Sequence, residues 1–125
     1  MLNLSIVIPI YNESENIINL VNSISKNIKV NDYEIIFVDD NSNDGSEGIL
    51  EDVASENNKV KFIIRKNHRR DLSKSCILGF DNVKYDTILV MDGDLQHDPK
   101  DINNLTENFV KRDLDFVIGS RNLFK

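Results

Sequence analysis

Two aspartates and a glutamine alternate with other residues in the segment DGDLQ, at positions 92–96. The segment directly follows the apolar run Thr87–Met91, so two like charges lie close together where the chain leaves a buried element. Such carboxylates repel each other unless one is protonated or a cation lies between them. Carboxylate and amide oxygens are ligands that Mg²⁺ and Mn²⁺ prefer, and these ions recruit phosphate oxygens as further ligands. We therefore predict a divalent metal site formed by Asp92, Asp94 and Gln96.

Other polar clusters also follow short apolar runs. Each cluster alone fits helix capping and turn formation, which use the same residue types. In an open parallel sheet, however, ligands bind outside the carboxyl ends of the strands. We therefore expect these clusters to converge on one edge of a sheet: PIYNE (9–13), DDNSNDG (39–45), RKNHRR (65–70) and GSR (119–121).

The apolar runs that precede the clusters lack the alternating polar positions of a half-exposed strand, so they predict strands buried on both faces. Stretches with apolar residues three or four apart follow four of them and predict helices. Strict alternation of this kind predicts a parallel sheet covered by helices on both faces, a three-layer α/β/α domain. The predicted strands are Leu4–Ile10, Tyr33–Val38, Val60–Ile64, Thr87–Met91 and Phe116–Ile118.

The helical stretches carry start signals and apolar stripes. We expect Asn12 with Glu15, and Asp44 with Glu47, to cap the first two helices. Asp98-Pro99 is typical of the start of the fourth helix. The expected buried stripes are Leu72, Cys76, Phe80 and Val83 in the third helix and Ile102, Leu105 and Phe109 in the fourth.

Composition narrows the class of protein. The chain has 125 residues, a net charge of −6 and 40% hydrophobic residues, as expected for one globular domain. The acidic balance argues against a nucleic-acid binder. The apolar runs are far shorter than the roughly 20 residues of a membrane span, and no basic stretch typical of a signal peptide precedes the first run. The single cysteine, Cys76, is consistent with a reducing compartment, and we expect a cytoplasmic domain.

Two further patterns invite other interpretations. The basic run 65–74 in an otherwise acidic chain fits either a surface that attracts phosphate or an anionic membrane, or a solvated loop. A calcium-loop spacing also occurs, but it follows a strand where an EF-hand requires a helix, and we reject it. Its residues are Asp40, Ser42, Asp44, Gly45 and Glu51.

Four segments together resemble glycosyltransferase family 2, which has the GT-A fold with a Rossmann-like sheet, and most closely its polyprenyl-phosphate branch, typified by dolichol-phosphate mannosyltransferases. They extend from Ile6 to Arg121 and read VIPIYNESENI, YEIIFVDDNSNDGS, TILVMDGDLQHDPKDI and FVIGSR. The resemblance implies that residues 1–125 form one nucleotide-sugar-binding domain, an N-terminal fragment of a longer chain. Acceptor-binding and membrane-contacting segments would follow it.

The resemblance assigns the nucleotide to the ends of the first two strands. Pro9, Tyr11 and Glu13 belong to the P-x-Y-N-E stretch that lines the base in this family. At the end of the second strand, Val38 and Asp40 match nucleotide-binding positions. Asp40 is expected to hydrogen-bond the edge of the base.

The resemblance assigns the metal and the diphosphate to the fourth and fifth strands. Asp92, Asp94 and Gln96 are expected to hold Mg²⁺ or Mn²⁺, and Asp92 and Asp94 are the expected catalytic residues. Asp92 and Gly93 are also expected near the ribose or diphosphate, and Arg121 near the phosphates or the sugar. Family members often have glycines in the loop after strand three, where this chain has RRDLS (69–73), so no site residue is assigned there.

The resemblance thus implies an inverting, metal-dependent transfer from a GDP- or UDP-sugar to a polyprenyl phosphate at the cytoplasmic face of a membrane. A bound metal would neutralise the charge that grows on the departing diphosphate. Because a phosphate acceptor is already an anion, this transfer needs no strong general base. The sequence does not indicate the sugar, the base or the oligomeric state.

Two alternatives stay open at this stage. One is a module that binds a nucleotide without transferring a sugar. The other is a phosphorelay receiver domain, which also has five β-α units and binds Mg²⁺ through an acidic pair. Receivers carry that pair after strand one and a lysine at the end of strand five, where this chain has Pro9-Ile10-Tyr11 and Arg121.

Overall fold

The computed structural model describes residues 2–66, 68–93, 102–103 and 117–118. Strands and helices alternate along the described chain, and each predicted strand is present with small shifts at its ends. Ile102 and Asn103 are helical, at the place predicted for a fourth helix. The elements are β1 (Asn3–Ile10), α1 (Ile17–Asn27), β2 (Asp32–Asp39), α2 (Ser46–Glu56), β3 (Val60–Ile64), α3 (Leu72–Phe80), β4 (Thr87–Val90) and β5 (Val117–Ile118).

The five strands form one sheet in the order β3-β2-β1-β4-β5, and all neighbouring strands are parallel. The chain moves outward from β1 to β3 and then returns to the other side of β1, so the strand order reverses between β1 and β4. This arrangement confirms the predicted α/β fold. It excludes the receiver domain, whose sheet has the order 2-1-3-4-5.

Side chains of the central strands alternate between two apolar layers. On one face, Ile6 and Phe37 belong to the larger core, which includes the buried stripe of α1 and Leu50 of α2. On the other face, Val7 and Val38 belong to a smaller core with residues of α3 and the segment after it. The sheet is therefore covered on both faces, which explains why its central strands carry almost uninterrupted apolar sequence.

Helix α3 approaches the sheet through small residues, which corrects the predicted stripe at Leu72, while Phe80 and Val83 pack against the smaller core as predicted. Its buried residues are Ser75 and Gly79, whereas Leu72 is 65% exposed and Ile77 is 55% exposed. A Cβ atom at Gly79 would lie 2.5 Å from Cγ1 of Val7, so a larger residue there would clash. The close approach selects small side chains on the inner face and turns Leu72 outward.

The expected cap of α1 was also wrong. The helix begins at Ile17 with Asn16 as its N-cap residue, while Asn12 has a left-handed backbone, with a φ of 52°. Asn12 contacts the loop after β2, a tertiary contact that its local sequence does not reveal. The second helix has Gly45 as its N-cap residue, at a φ of 89°, directly after Asp44.

Candidate functional site

A cleft of about 440 Å³ opens at the carboxyl ends of the strands, beside the point where the strand order reverses. This is where open α/β sheets bind their ligands. Six residues that we predicted from the sequence line it: Pro9, Tyr11, Glu13, Asp40, Asp92 and Gly93. Four further residues of the described chain also line it: Ile10, Arg70, Leu72 and Ser75.

The remaining predicted site residues divide into two groups. Val38 is fully buried in the core beneath α3, with 0% exposure, so its side chain does not face the cleft. Val38 occupies an interior position of β2, one residue before the strand ends, and its binding role stays a prediction. Asp94, Gln96 and Arg121 lie outside the described residues.

Gly93 brings the end of β4 close to the end of β1. A Cβ atom on Gly93 would lie 2.5 Å from Cγ2 of Ile10, closer than Cβ atoms in proteins approach other heavy atoms. Because only glycine fits at this distance, the residue between the two aspartates has a steric function. It places Asp92 beside the segment that carries Tyr11.

Asp92 is exposed at the rim of the cleft. Within the described part of the chain, its carboxylate has no hydrogen-bond or ion-pair partner. Its charge, together with the larger effect of burial, raises the pKa of the Cys76 thiol on α3. An available carboxylate next to a polar cleft suits a hard divalent cation. No group of three histidine, cysteine or acidic side chains that could hold a metal occurs among the described residues, and Asp94 and Gln96 are not among these.

Asp40 has protein partners on both carboxylate oxygens. Nη1 of Arg65 donates to Oδ1 at 2.5 Å, and the backbone N–H of Asp71 donates to Oδ2 at 2.6 Å. The Asp40 and Arg65 side chains are only 5% and 8% exposed. This carboxylate lies in the lining of the cleft and also anchors the loop between β3 and α3.

Arg70, in that same loop, stacks on Tyr11. Its guanidinium carbon lies 4.3 Å from the centre of the Tyr11 ring, within the range of a cation–π interaction. No site residue was predicted in this loop, although the basic run 65–74 could have indicated one. The basic residues of that run have different environments in the structure. Arg65 is buried beside Asp40, whereas Lys66 forms an exposed ion pair with Glu47.

Hydrogen bonds join the loop after β1 to the loop after β2. The Asn12 N–H donates to Ser42 Oγ at 2.7 Å, and the Asn43 N–H donates to Asn12 Oδ1 at 3.1 Å. The Ser14 N–H donates to Asp44 Oδ2 at 3.0 Å. These contacts flank Tyr11 and Glu13, so the two loops form one connected wall of the cleft.

Two aspartates of the loop after β2, Asp39 and Asp44, have pKa values that are shifted in opposite directions. Burial raises the pKa of Asp39 despite two hydrogen bonds from Ser42, and the nearby Asp44 and Asp40 charges add to the increase. For Asp44, burial acts in the same direction, but hydrogen bonds from Ser46 and Ser14 outweigh it and lower its pKa to about 2. Asp44 is therefore ionised at neutral pH and holds the wall together as an acceptor.

Comparison with known proteins identifies relatives along nearly the whole chain. The sequence model described as "Glycosyl transferase family 2" matches residues 5–125. A dolichol-phosphate mannosyltransferase of Pyrococcus furiosus is 39% identical over 117 residues, which cover 94% of this chain and 32% of the relative. The Saccharomyces cerevisiae dolichol-phosphate mannosyltransferase is 35% identical, with coverage of 94% and 44%.

A second group of relatives is named for another lipid phosphate. An undecaprenyl-phosphate 4-deoxy-4-formamido-L-arabinose transferase of Pseudomonas fluorescens is 38% identical over 107 residues, which cover 82% of this chain and 31% of the relative. The chain thus spans between about a third and somewhat under half of the length of these curated relatives. The resemblance inferred from the four segments is confirmed.

Solved structures show the same fold at lower identity. Staphylococcus aureus TarS 1-349 in complex with UDP-GlcNAc superposes with a TM-score of 0.71 at 21% identity, covering 88% of this chain and 32% of that one. A longer TarS structure gives 0.72 at 20% identity, with coverage of 90% and 20%. In the part of this chain that the structure describes, no helix has the length and apolar character to span a bilayer.

Proposed function

This chain belongs to glycosyltransferase family 2, and from that premise we propose that it binds a nucleotide-diphosphate sugar and supports sugar transfer to a polyprenyl phosphate. The observation that carries the proposal is the cleft at the strand-order reversal, where Tyr11, Asp40, Arg70 and Asp92 meet. Relatives named for dolichol phosphate and for undecaprenyl phosphate support the class of acceptor.

The donor is a GDP- or UDP-sugar in this proposal. The cleft combines an aromatic ring, at Tyr11, with polar groups of both charges, which suits a ligand that has a planar base and a diphosphate. A structural neighbour, TarS, has been solved with UDP-GlcNAc, which supports a nucleotide sugar as the ligand. Pro9, Tyr11 and Glu13 would lie beside the base, and Arg70 and Arg121 would attract the phosphates.

The metal ligands in this proposal are Asp92, Asp94 and Gln96. Their oxygen donors suit Mg²⁺ or Mn²⁺, and the Asp92 carboxylate is exposed toward the cleft. A bound ion would act as a Lewis acid that neutralises the charge of the departing nucleoside diphosphate. The contribution of the chain is to hold Asp92 at the rim, where Gly93 allows β4 to approach β1.

The acidic groups of the described cleft favour an acceptor that needs no deprotonation. The Glu13 carboxylate accepts a hydrogen bond from Asn16 Nδ2 at 2.7 Å, and the Asp40 carboxylate is held by Arg65. Neither is placed as a free general base, and Asp92, the third acidic group of the described lining, is a metal ligand in this proposal. A phosphate acceptor is already anionic and needs no such base. Direct attack by such an acceptor inverts the configuration of the sugar, and we propose an inverting reaction.

The relatives are much longer than this chain, which covers 32% of the archaeal mannosyltransferase. We propose that residues 1–125 are the donor-binding part of such an enzyme. In this proposal, acceptor-binding and membrane-contacting segments outside these residues place it at the cytoplasmic face of a membrane.

Thermal unfolding with a panel of nucleoside diphosphates tests donor binding. We expect UDP or GDP with Mn²⁺ to raise the melting temperature, by a stabilisation of about 2.7 kcal/mol at a hundredfold excess over the Kd. Asp94→Ala should abolish the part that depends on metal. Asp52→Asn, at an exposed position of α2, is the matched control and should respond like the wild type.

Melting temperatures that do not change with UDP, GDP or CDP in the presence of Mn²⁺ would overturn the proposal. Adding dolichyl phosphate and a labelled GDP- or UDP-sugar to a protein that carries both this chain and the proposed acceptor-binding segments then separates transfer from binding alone. Labelled lipid and free nucleoside diphosphate are the expected products. Binding without these products would favour the non-catalytic nucleotide-binding module.

A further inference from the structure

A buried ion pair lies directly beneath the cleft. Arg65 follows the last residue of β3 and Asp40 follows the last residue of β2, and these strands are neighbours in the sheet. Their side chains meet at 2.5 Å with exposures of 8% and 5%. A buried ion pair contributes little net stability compared with apolar residues of similar size, because both charges lose hydration. Net stability is therefore a weak explanation for this pair.

The contacts of this pair flank a single residue. Nη1 of Arg65 also donates to the carbonyl oxygen of Arg69 at 2.8 Å, and Oδ2 of Asp40 accepts from the N–H of Asp71 at 2.6 Å. The pair thus holds the backbone on both sides of Arg70. Asp71 is also held from its other side, because its carboxylate caps α3 by accepting from the Lys74 N–H at 3.0 Å.

We propose that Arg65 and Asp40 are positioning residues that hold Arg70 over the Tyr11 ring. An arginine side chain has many rotamers, and a ligand that must order it loses affinity. With residues 69 and 71 held by buried charged groups, the Arg70 backbone is fixed before a ligand arrives. Arg70 then presents a cation at the wall of the cleft, stacked at 4.3 Å from the ring centre of Tyr11. The effect on ligand affinity rests on the proposed nucleotide binding, but the positioning does not.

The free protein provides a direct test of the positioning. In an NMR spectrum of the wild-type chain, the Arg70 side-chain protons should show an upfield ring-current shift, and Tyr11→Leu should abolish it. Arg65→Gln should remove most of this shift while the chain stays folded. Lys61→Gln is the matched control, since it breaks the ion pair between Lys61 and Glu34 at the opposite edge of the sheet and should leave the shift unchanged.

An Arg65→Gln protein that is folded and keeps the wild-type Arg70 shift overturns the inference. If Arg65→Gln does not fold, Asp40→Asn serves as the second variant, because it keeps the shape of the carboxylate and removes its charge. The same loss of the Arg70 shift is then expected, and an unchanged shift overturns the inference.

A double-mutant cycle tests the consequence for binding, with UDP or GDP and Mn²⁺ as the probe. Arg70→Gln and Arg65→Gln should each weaken binding by about tenfold, and the double variant should be no weaker than Arg70→Gln alone. Independent, multiplying losses would show that Arg65 does not act through Arg70. If the wild type binds no nucleoside diphosphate, the proposed function fails, and the NMR comparison still decides the positioning.

Discussion

The two ends of the sheet both contain carboxylates and cations, but they use these charges differently. At the amino end, Asp32 and Glu34 of β2 each have several partners within the protein. At the carboxyl end, Asp92 has no such partner among the described residues and is exposed at the rim of a cleft. In this protein, a charged cluster therefore indicates a functional site only where a charged group has no partner within the protein and can bind a ligand.

Glu34 illustrates the structural use of charge. Its carboxylate accepts from Ser5 Oγ at 2.6 Å and from the Lys84 N–H at 2.5 Å, and it pairs with Lys61 at 2.8 Å. Burial acts to raise its pKa, but the bonds from Lys61 and Ser5 outweigh this effect, and the pKa is lowered. The carboxylate thus holds β1, β2, β3 and the segment before β4 together.

Asp32 shows the same pattern nearer the surface. It is bonded to Lys59, to the Tyr85 hydroxyl and to the Tyr33 N–H, and these bonds lower its pKa, with the bond from Lys59 contributing most. A small hollow of about 170 Å³ lies among these residues. The acidic residues that line this hollow, Asp32 and Glu34, both have partners within the protein. The cleft differs, because its Asp92 carboxylate has none among the described residues.

Of the four substitutions that compare the two ends of the sheet, the one that breaks the network at the amino end should give the largest loss of stability. Glu34→Ala leaves the buried Ser5 hydroxyl and the Lys84 N–H without their acceptor, whereas the exposed Lys61 loses little, and we expect a loss of about 3 kcal/mol. Nucleoside diphosphate binding by the folded fraction should not change. Chemical denaturation and ligand titration measure the two effects, and a loss of binding without a loss of stability would contradict the distinction between the two ends.

Gly93→Ala should affect both stability and binding. The added Cβ meets Ile10 at 2.5 Å, and overpacking of this kind costs about 1–3 kcal/mol. Because the strain lies beside Asp92, binding that depends on metal should weaken too. Gly48→Ala is the control: its added Cβ meets nothing within 4 Å in helix α2, and it should stabilise the fold by about 0.4–1 kcal/mol. Equal effects of the two substitutions would rule out this role of Gly93.

The loop connection through Asp44 should make a smaller, pH-dependent contribution. Its pKa in the folded chain is about 2, below the ordinary value of 3.8, so the stabilisation is present above about pH 4 and is lost as the pH falls toward 2. Since Asp44 is exposed to solvent, we expect a contribution of 1 kcal/mol or less, about the size of a surface ion pair. The difference in unfolding free energy between the wild type and Asp44→Asn, measured from pH 7 to pH 2, should shrink over that range. A constant difference would argue against the assignment.

Asp92→Asn should change stability least, by about 0.5 kcal/mol at most, because the carboxylate has no partner among the described residues. The same substitution should remove the stabilisation that UDP or GDP gains from Mn²⁺. Thermal unfolding with and without the metal measures both quantities. A strongly destabilised Asp92→Asn would place this residue with Glu34 as a structural group.

Much of the fold could be predicted because both faces of the sheet are buried. Strands such as β1 and β2 then carry apolar residues in succession, and this pattern is unlike that of the helices between them. The helix starts were less predictable, because Asn12 is held by the neighbouring loop and not by its own helix. Leu72 was wrongly placed in the buried stripe for a related reason, since small residues at Ser75 and Gly79 make the close approach to the sheet and leave Leu72 exposed.

The candidate site was predictable where the topology alone brings residues together. Carboxyl ends of parallel strands meet at one edge, so the residues that follow β1, β2 and β4 had to be neighbours once the sheet was parallel. Tyr11, Asp40 and Asp92 were found in this way. The direction of the Val38 side chain could not be predicted in this way, because a one-residue step along a strand moves a side chain to the opposite face.

By itself, the sequence determined the α/β class, the edge of the sheet that carries the cleft and the family of the protein. These follow from periodicity and from motifs, which are local properties of the chain. Only the tertiary structure decided which charges are paired: Arg65 meets Asp40 across 25 residues of sequence, while Asp92 has no partner in the described chain. Ionic and hydrogen-bonded contacts act over a few ångströms, so they depend on which strands are neighbours and how closely the helices approach them.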